Sequence, residues 1–185
     1  NKIESVIIPM ANRYTLCVSS QVGCKRGCKF CQTSKLGFIR NLSAEEITGQ
    51  VYNAKFSLKK EIKNIVFMGM GEPFDNYSNM IQSIKIMNEQ KGFNIAPRHI
   101  TISTCGVLNG IDRLGKQDLT GIRLAISINA SDDIKRAKLM PIARSSSLHQ
   151  LKTVLQNYPL PKRGCFLFEY ILIKGFNDSY NDAIN

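Results

Sequence analysis

The sequence predicts an α/β protein in which a parallel sheet curls into a partial, open barrel. Short apolar runs rich in β-branched residues alternate along the chain with segments of helical periodicity. Three conspicuous polar stretches follow such runs directly, at the places where barrels of this kind keep their working loops. The strand–helix order further requires right-handed crossovers between parallel neighbours.

Taken in order, "SVIIP" and "TLCVSS" read as a short hairpin through "MANR". "NIVFMG", "HITIST", "IRLAISI" and "FLFEYILI" each read as a buried strand, being short continuous apolar runs. With the strand that carries Cys17 they make five. Between them, "SAEEITGQVYNAKFSLKK", "YSNMIQSIKIMNEQ", "LNGIDRLGK", "DDIKRAKL" and "SSLHQLKTVLQNY" read as helices. The first opens on a capping box, Ser43 with Glu46, and Ile47, Val51, Ala54 and Leu58 are expected on one face. The division expected is a hairpin over residues 1–14 leading into an incomplete barrel over 15–185.

At 185 residues the chain suffices for one domain with a substantial core. No eighteen-residue apolar stretch occurs and the start lacks a signal peptide's hydrophobic region, so the expectation is a cytoplasmic protein with no membrane association. In that setting six cysteines favour metal or redox chemistry over a disulfide scaffold. The net charge of +11 attracts polyanions, nucleic acid first and an anionic membrane surface second.

The cysteines concentrate in "CVSSQVGCKRGCKFCQTSKLGFIR". Cys24, Cys28 and Cys31 form C-x3-C-x2-C, in which three thiolates can each hold one iron of a 4Fe–4S cluster. A fourth iron then keeps open coordination, the logic by which catalytic zinc keeps a free position. Gly23 and Gly27 relieve crowding where the backbone wraps the metal. A zinc knuckle is the alternative. With Phe30 before the last cysteine, the motif resembles the signature of radical S-adenosylmethionine (SAM) enzymes, whose open iron chelates SAM.

The surrounding residues narrow the resemblance. "CVSSQVGCKRGCKFCQTSKLGFIRNLSAEEITGQV", "VFMGMGEPFDN", "ITISTCGV", "LAISINAS", "LMPI" and "EYILIKGFNDS" together look like the adenine methyltransferases of 23S ribosomal RNA. That family includes dual-specificity ribosomal and transfer RNA enzymes acting on adenine carbon 2, and resistance enzymes acting on carbon 8. The likeness runs from Glu4 to about Asp182. It implies a radical SAM (βα)6-type barrel, with its last strand and terminal segments outside this chain.

The resemblance also implies roles. Gly71 and Glu72 match the contact to the SAM amino group, where a carboxylate pairs with an ammonium. Ser103, Ser127, Ile128 and Asn129 match further SAM contacts, and Glu4 matches a proton acceptor. In the family, a cysteine near the C-terminus takes a methyl group from one SAM by displacement. A second SAM yields the radical that activates this methyl group to join the adenine ring. The cysteine at the position of Cys17 then breaks the resulting protein–RNA link, ending in a disulfide with the carrier. On the residues alone, Cys17 reads as a buried small hydrophobe.

The expected activity is therefore methylation of an adenine ring carbon, carbon 2 first, in 23S ribosomal RNA, with transfer RNA as a further candidate. The expected partners are a flavodoxin- or ferredoxin-type electron donor, and the protein is expected to act as a monomer. Carbon 8 methylation is the alternative; a lapsed cluster- and SAM-binding protein and a zinc-stabilised RNA-binding module are alternatives of another class. The chain stops at "NDSYNDAIN", and reads as an internal piece of a longer protein that is inactive alone because the methyl-carrying cysteine lies outside it.

Asn129 replaces a histidine and Ala143 an asparagine usual in the family. Cys105 and Cys165 read as packing and structural residues, and Met68, Met70 and Met87 as core. Asn177 and Asp178 read as a turn or cap. His99 and His149 fit no ligand spacing.

Overall fold

The computed structural model describes residues 2–11, 13–162 and 164–184. The chain begins with an antiparallel hairpin, β1 (Val6–Met10) and β2 (Arg13–Cys17), in which Val6 pairs with Cys17. Asn12, within the expected "MANR" turn, lies outside the described residues. A second, two-stranded hairpin follows, β3 (Gln21–Gly23) and β4 (Phe38–Asn41), enclosing the cysteine loop and the short helix α1 (Gln32–Lys35).

Beyond it come α2 (Ala44–Tyr52), β5 (Ile62–Phe67), α3 (Tyr77–Asn88), β6 (Ile100–Thr104), α4 (Leu108–Gly115) and β7 (Arg123–Ser127). The chain closes with α5 (Asp133–Leu139), α6 (Leu148–Gln156), β8 (Leu167–Glu169) and α7 (Tyr180–Ile184). The main sheet has the order β1-β2-β5-β6-β7-β8. Every pair after β1–β2 is parallel, so the five expected parallel strands form one curled half-barrel sheet.

The two faces of this sheet differ. Leu16, Ile65, Phe67, Ile100, Ile102, Leu124 and Ile126 point outward and form one core with residues from α2, α3, α4 and α6, such as Ile47, Met80, Ile111 and Leu151. The strand residues between them (Thr15, Cys17, Asn64, Thr101, Ser103, Arg123, Ser127 and Glu169) share the opposite, concave face by the two-residue alternation of a strand. A closed barrel fills that interior with Val, Ile and Leu. Here the concave face mixes polar residues with Val66 and Ala125, and its middle is covered. Thr15, Cys17, Thr101 and Ala125 are buried, so β6 and β7 are buried on both faces as expected, whereas β8 at the sheet edge is largely exposed.

Helix α2 starts as expected: the Ser43 side chain accepts from the Glu46 amide, and the Glu46 carboxylate accepts from the Ser43 amide. Ile47, Val51 and Ala54 are buried, but Leu58 is exposed. The helix passes into a π-helical turn over Asn53–Ser57, and the added residue per turn rotates Leu58 off the apolar stripe. The last strand is shorter than "FLFEYILI" predicts. After Glu169, side chains take over the backbone partners: Asn129 Oδ1 accepts from the Ile171 amide at 3.0 Å and Asn177 Oδ1 from the Ile173 amide at 2.6 Å.

Asn177 thus clasps this loop, also donating to the carbonyls of Asn129 and Ile171, in keeping with its reading as a turn residue. Met70 and Met87 are buried as expected, whereas Met68 is exposed because it is the first residue past the covered part of β5. Cys165 is exposed too, ahead of β8, so it has no packing role. Among the described residues no helix is long and apolar enough to cross a membrane.

Candidate active site

The C-terminal ends of β5, β6, β7 and β8 and the cysteine loop enclose a cleft of about 230 Å³. Cys24, Cys28 and Cys31 line it together with Arg26, Phe30, Gly71, Glu72, Ser103, Cys105, Ser127, Met140 and Glu169. The sequence-predicted cysteine, glycine–glutamate and serine residues are thereby brought to one place, although β6 and β7 lie some seventy to a hundred residues after the cysteines.

The cysteine loop is held in shape locally. Gly23 has φ +78°, and a Cβ there would stand 1.8 Å from the Gly37 carbonyl oxygen, so only glycine lets β3 and β4 close beneath the loop. The Ser34 hydroxyl hydrogen-bonds the carbonyls of Cys28 (2.6 Å) and Cys31 (2.8 Å). The Lys29 amide donates to the Leu139 carbonyl at the end of α5. Arg26 makes a two-pronged ion pair with Asp75 in the loop after β5, and Lys25 approaches the same carboxylate at 3.6 Å.

Gly71 sits at φ +101°, and a Cβ would fall 2.6 Å from Gln21 Cβ and 2.8 Å from Ser20 Oγ. That close approach lets the next residue turn inward. Glu72 is buried, and its carboxylate accepts from the amides of Phe74 (3.2 Å) and Cys105 (2.9 Å). Its own amide donates to Gln21 Oε1 at 2.9 Å. Burial raises the Glu72 carboxyl above its ordinary range, against the lowering effect of those amide bonds.

On the far wall, Ser103 and Ser127 both donate to Glu169 Oε2, at 2.8 and 2.9 Å. Each hydroxyl, having spent its proton on Glu169, turns acceptor lone pairs toward the cleft. Sequence reasoning assigned no role to Glu169. The pairing spans 66 and 42 residues, and only the parity of Glu169 on β8 could have placed it inward. Two other contributors were missed. "SSQ" after β2 is wholly buried, Ser19 bonding the Met70 amide and Gln21 the Glu72 amide. Arg136 on α5 is fully buried with its guanidinium among the carbonyls of Cys105, Ser127, Ile128 and Ser146.

The remaining predicted residues lie outside the cleft lining. Cys17 is buried at the end of β2, and burial pushes its thiol up, against a smaller lowering effect of the Met68 backbone. Ile128 lines a separate groove beside α6. Asn129, at φ +58° and buried, is spent on the Ile171 amide. The Glu4 side chain is exposed, and its carbonyl accepts from the Ser19 hydroxyl at 2.6 Å.

The donor set fits an iron–sulfur cluster. Burial raises the Cys24 and Cys28 thiols, Cys28 to about 11, and neighbouring thiolates and Glu72 add to the rise. Among the residues lining the cleft Arg26 is the one cation, so three thiolates there require a cationic group to offset them. Among the described residues, no three His, Cys, Asp or Glu side chains gather around a point that one metal ion could occupy. Three thiols lining one cleft can each take a separate iron of such a cluster.

Comparison with known proteins agrees with this geometry. The chain is 46% identical over 183 residues to a probable dual-specificity RNA methyltransferase RlmN of Aquifex aeolicus, covering 98% of this chain and 53% of that protein. It is 49% identical over 179 residues to a dual-specificity RNA methyltransferase RlmN of Syntrophus aciditrophicus, covering 96% and 51%. The chain thus spans about half the length of the curated relatives it matches. The crystal structure of a radical SAM methyltransferase from Sphaerobacter thermophilus superposes with a TM-score of 0.92 at 39% identity, over 98% of this chain and 54% of that one. The family model of the radical SAM superfamily matches residues 18–185, nearly the whole half-barrel and its cysteine loop, and the chain belongs to that superfamily.

Proposed function

We propose that this chain is the barrel portion of a radical SAM RNA methyltransferase that adds a methyl group to adenine carbon 2 of 23S ribosomal RNA, with transfer RNA as a second substrate. The observation that carries this reading is the single cleft joining Cys24, Cys28 and Cys31 to Glu72, Ser103 and Ser127. The relatives named dual-specificity RNA methyltransferases supply the substrate class.

Cys24, Cys28 and Cys31 would hold a 4Fe–4S cluster. When bound, that cluster supplies the electron that cleaves the sulfonium of SAM to a 5′-deoxyadenosyl radical. Glu72, raised by burial, gains most from a cationic partner, and the SAM ammonium provides one. Ser103 and Ser127 accept from ribose hydroxyls, their orientation locked by Glu169. The backbone at Gly71 completes the SAM wall, while the backbone groups of Ile128 and Asn129 are spent on Glu169, Arg136 and Asn177 and hold β7 and β8 behind it. Phe30 and Met140 exclude water from the radical's path.

Cys17 would act after carbon–carbon bond formation. Its thiolate attacks the sulfur of the methyl-carrying cysteine supplied by the rest of the protein. The sulfur–carbon bond breaks with its electron pair left on the methylene, which takes a proton from solvent to become the methyl group on the adenine, and the two cysteines end as a disulfide. Glu4 would accept the proton lost from the ring. The protein would work in the cytoplasm as a monomer, drawing electrons from a flavodoxin or ferredoxin.

Electron paramagnetic resonance of the anaerobically reconstituted, reduced protein tests the site. A 4Fe–4S signal that shifts on adding SAM is expected. A signal indifferent to SAM, or stoichiometric zinc in place of iron, overturns the reading.

A further inference from the structure

The concave face carries a second polar layer, at the N-terminal ends of the strands, which the cysteine cleft does not use. Thr15, Asn64, Thr101 and Arg123, with Arg98 and His99 from the turn before β6, line a cavity of about 170 Å³. Among the described residues no carboxylate lines it. Among the described residues, neither Arg98 nor Arg123 has a carboxylate oxygen within 4.0 Å; the ion pairs present involve Lys25, Arg26, Arg40, Lys116 and Lys135 instead. Both arginines reach solvent, while Thr15 and Thr101 are buried at the cavity floor.

The other walls are fixed as well. The Asn64 side chain donates to Thr15 Oγ1 at 3.3 Å, and its carbonyl oxygen meets His99 Nδ1 at 2.9 Å. With Nδ1 donating to Asn64, Nε2 of the neutral ring is an acceptor, so His99 shapes the wall while the donors to an anion are the two arginines and the threonine hydroxyls. Arg13 and Lys63 add to the positive field: the His99 pKa is lowered by burial first and then by Arg98, Lys63, Arg123 and Arg13. Glu61 shares an adjoining groove with Lys63, Arg98 and His99, and forms no ion pair with any of them. Like charges crowded without a counter-ion cost free energy, which an entering anion recovers. Two guanidinium forks beside hydroxyl and amide groups suit tetrahedral oxygens in particular.

We propose that the N-terminal mouth of the half-barrel, formed by Arg98, His99, Arg123, Thr15, Asn64 and Thr101, is a binding site for a phosphate group. Its occupant is either a backbone phosphate of RNA or a free phosphate. The site lies at the opposite end of the strands from the cysteine cleft, and its existence does not depend on the methyltransferase reading.

The test uses the 185-residue chain and inorganic phosphate, followed by isothermal titration calorimetry at constant ionic strength. Saturable one-to-one binding is expected, weakened about tenfold or more by Arg98→Ala or Arg123→Ala and unaffected by Lys116→Ala at an ordinary surface pair. Arg123→Lys, which keeps the charge and loses the fork, is expected to recover part of the affinity. Thermal unfolding of each variant shows that it is folded.

In the second arm, a short labelled single-stranded RNA is titrated at several salt concentrations. If RNA supplies the phosphate, each arginine variant lowers the slope of log K against log salt by about 0.7. An unchanged slope with phosphate binding intact assigns the site to free phosphate. No saturable phosphate binding, or binding indifferent to both arginine variants, overturns the proposal. The cluster's response to SAM is read separately, so failure here and failure of the cleft are distinguishable.

Discussion

Arg136 offers the sharpest test of how the cleft is held. Its side chain is 0% exposed, and among the described residues no carboxylate oxygen lies within 4.0 Å of it, Asp133 acting on its charge from farther away. The guanidinium donates to the carbonyls of Ile128 (3.1 Å), Ser146 (2.9 Å) and Cys105 (2.8 Å), with a longer contact to Ser127 at 3.4 Å. Three of these carbonyls lie just at or past the C-terminal ends of β6 and β7, where strand partners end. Burial lowers the Arg136 pKa, so the charge is held at a cost that the carbonyl bonds must exceed.

Arg136→Met keeps the apolar volume and removes all donors. Each carbonyl left buried and unpaired costs about 1–3 kcal/mol, and relief of the buried charge returns part of the sum. The net expectation is a loss of about 3 kcal/mol, a large share of the roughly 5–15 kcal/mol that stabilises an ordinary domain. Urea unfolding followed by circular dichroism measures it. Because Cys105 and Ser127 both line the cleft, the SAM-dependent shift of the cluster signal should also weaken in folded protein. Arg136→Lys, which retains the charge and up to three donors, should recover about half the stability. A change below about 1 kcal/mol for Arg136→Met, with the SAM response intact, would refute the assignment of Arg136 as the organiser of these strand ends.

Other substitutions follow from the same geometry. Gly71→Ala meets Gln21 and Ser20 and strains a φ of +101°, so a loss of about 1–3 kcal/mol in thermal or urea unfolding is expected, with weakened SAM binding. Glu72→Gln removes the charge offered to the SAM ammonium; equilibrium binding should show a loss of about ten- to a hundredfold, while the cluster still assembles on the cysteines. Asp182 is lowered by Lys135, then by Ser131 and Ser179, so its stabilisation is present above the unfolded carboxyl pKa of about 3.9 and is lost as pH falls through the folded value. Melting temperatures across acidic pH should therefore fall less steeply for Asp182→Asn than for the parent protein.

Much of the architecture is legible along the chain because it depends on neighbours. The Ser43–Glu46 box forms within four residues, and the strand–helix alternation needs only local periodicity. The cysteine spacing is likewise local, and Gly23 and Gly27 take the positive φ values that a tight metal loop favours. Leu58 failed the same logic because a π-helical turn, invisible to a 3.6-residue period, lies ahead of it.

The sequence by itself determined the class of chemistry: three thiols at metal-loop spacing, followed by strands in an order that compels a parallel, right-handed sheet. Tertiary structure alone decided which distant side chains share a surface. Ser103, Ser127 and Glu169 meet because β6, β7 and β8 are adjacent and in register, and Arg136 reaches four carbonyls because α5 packs over those strand ends. The arginines at the other mouth assemble for the same reason. Each is an ordinary basic residue in sequence, and hydrogen-bond register between parallel strands sets which charges end up side by side.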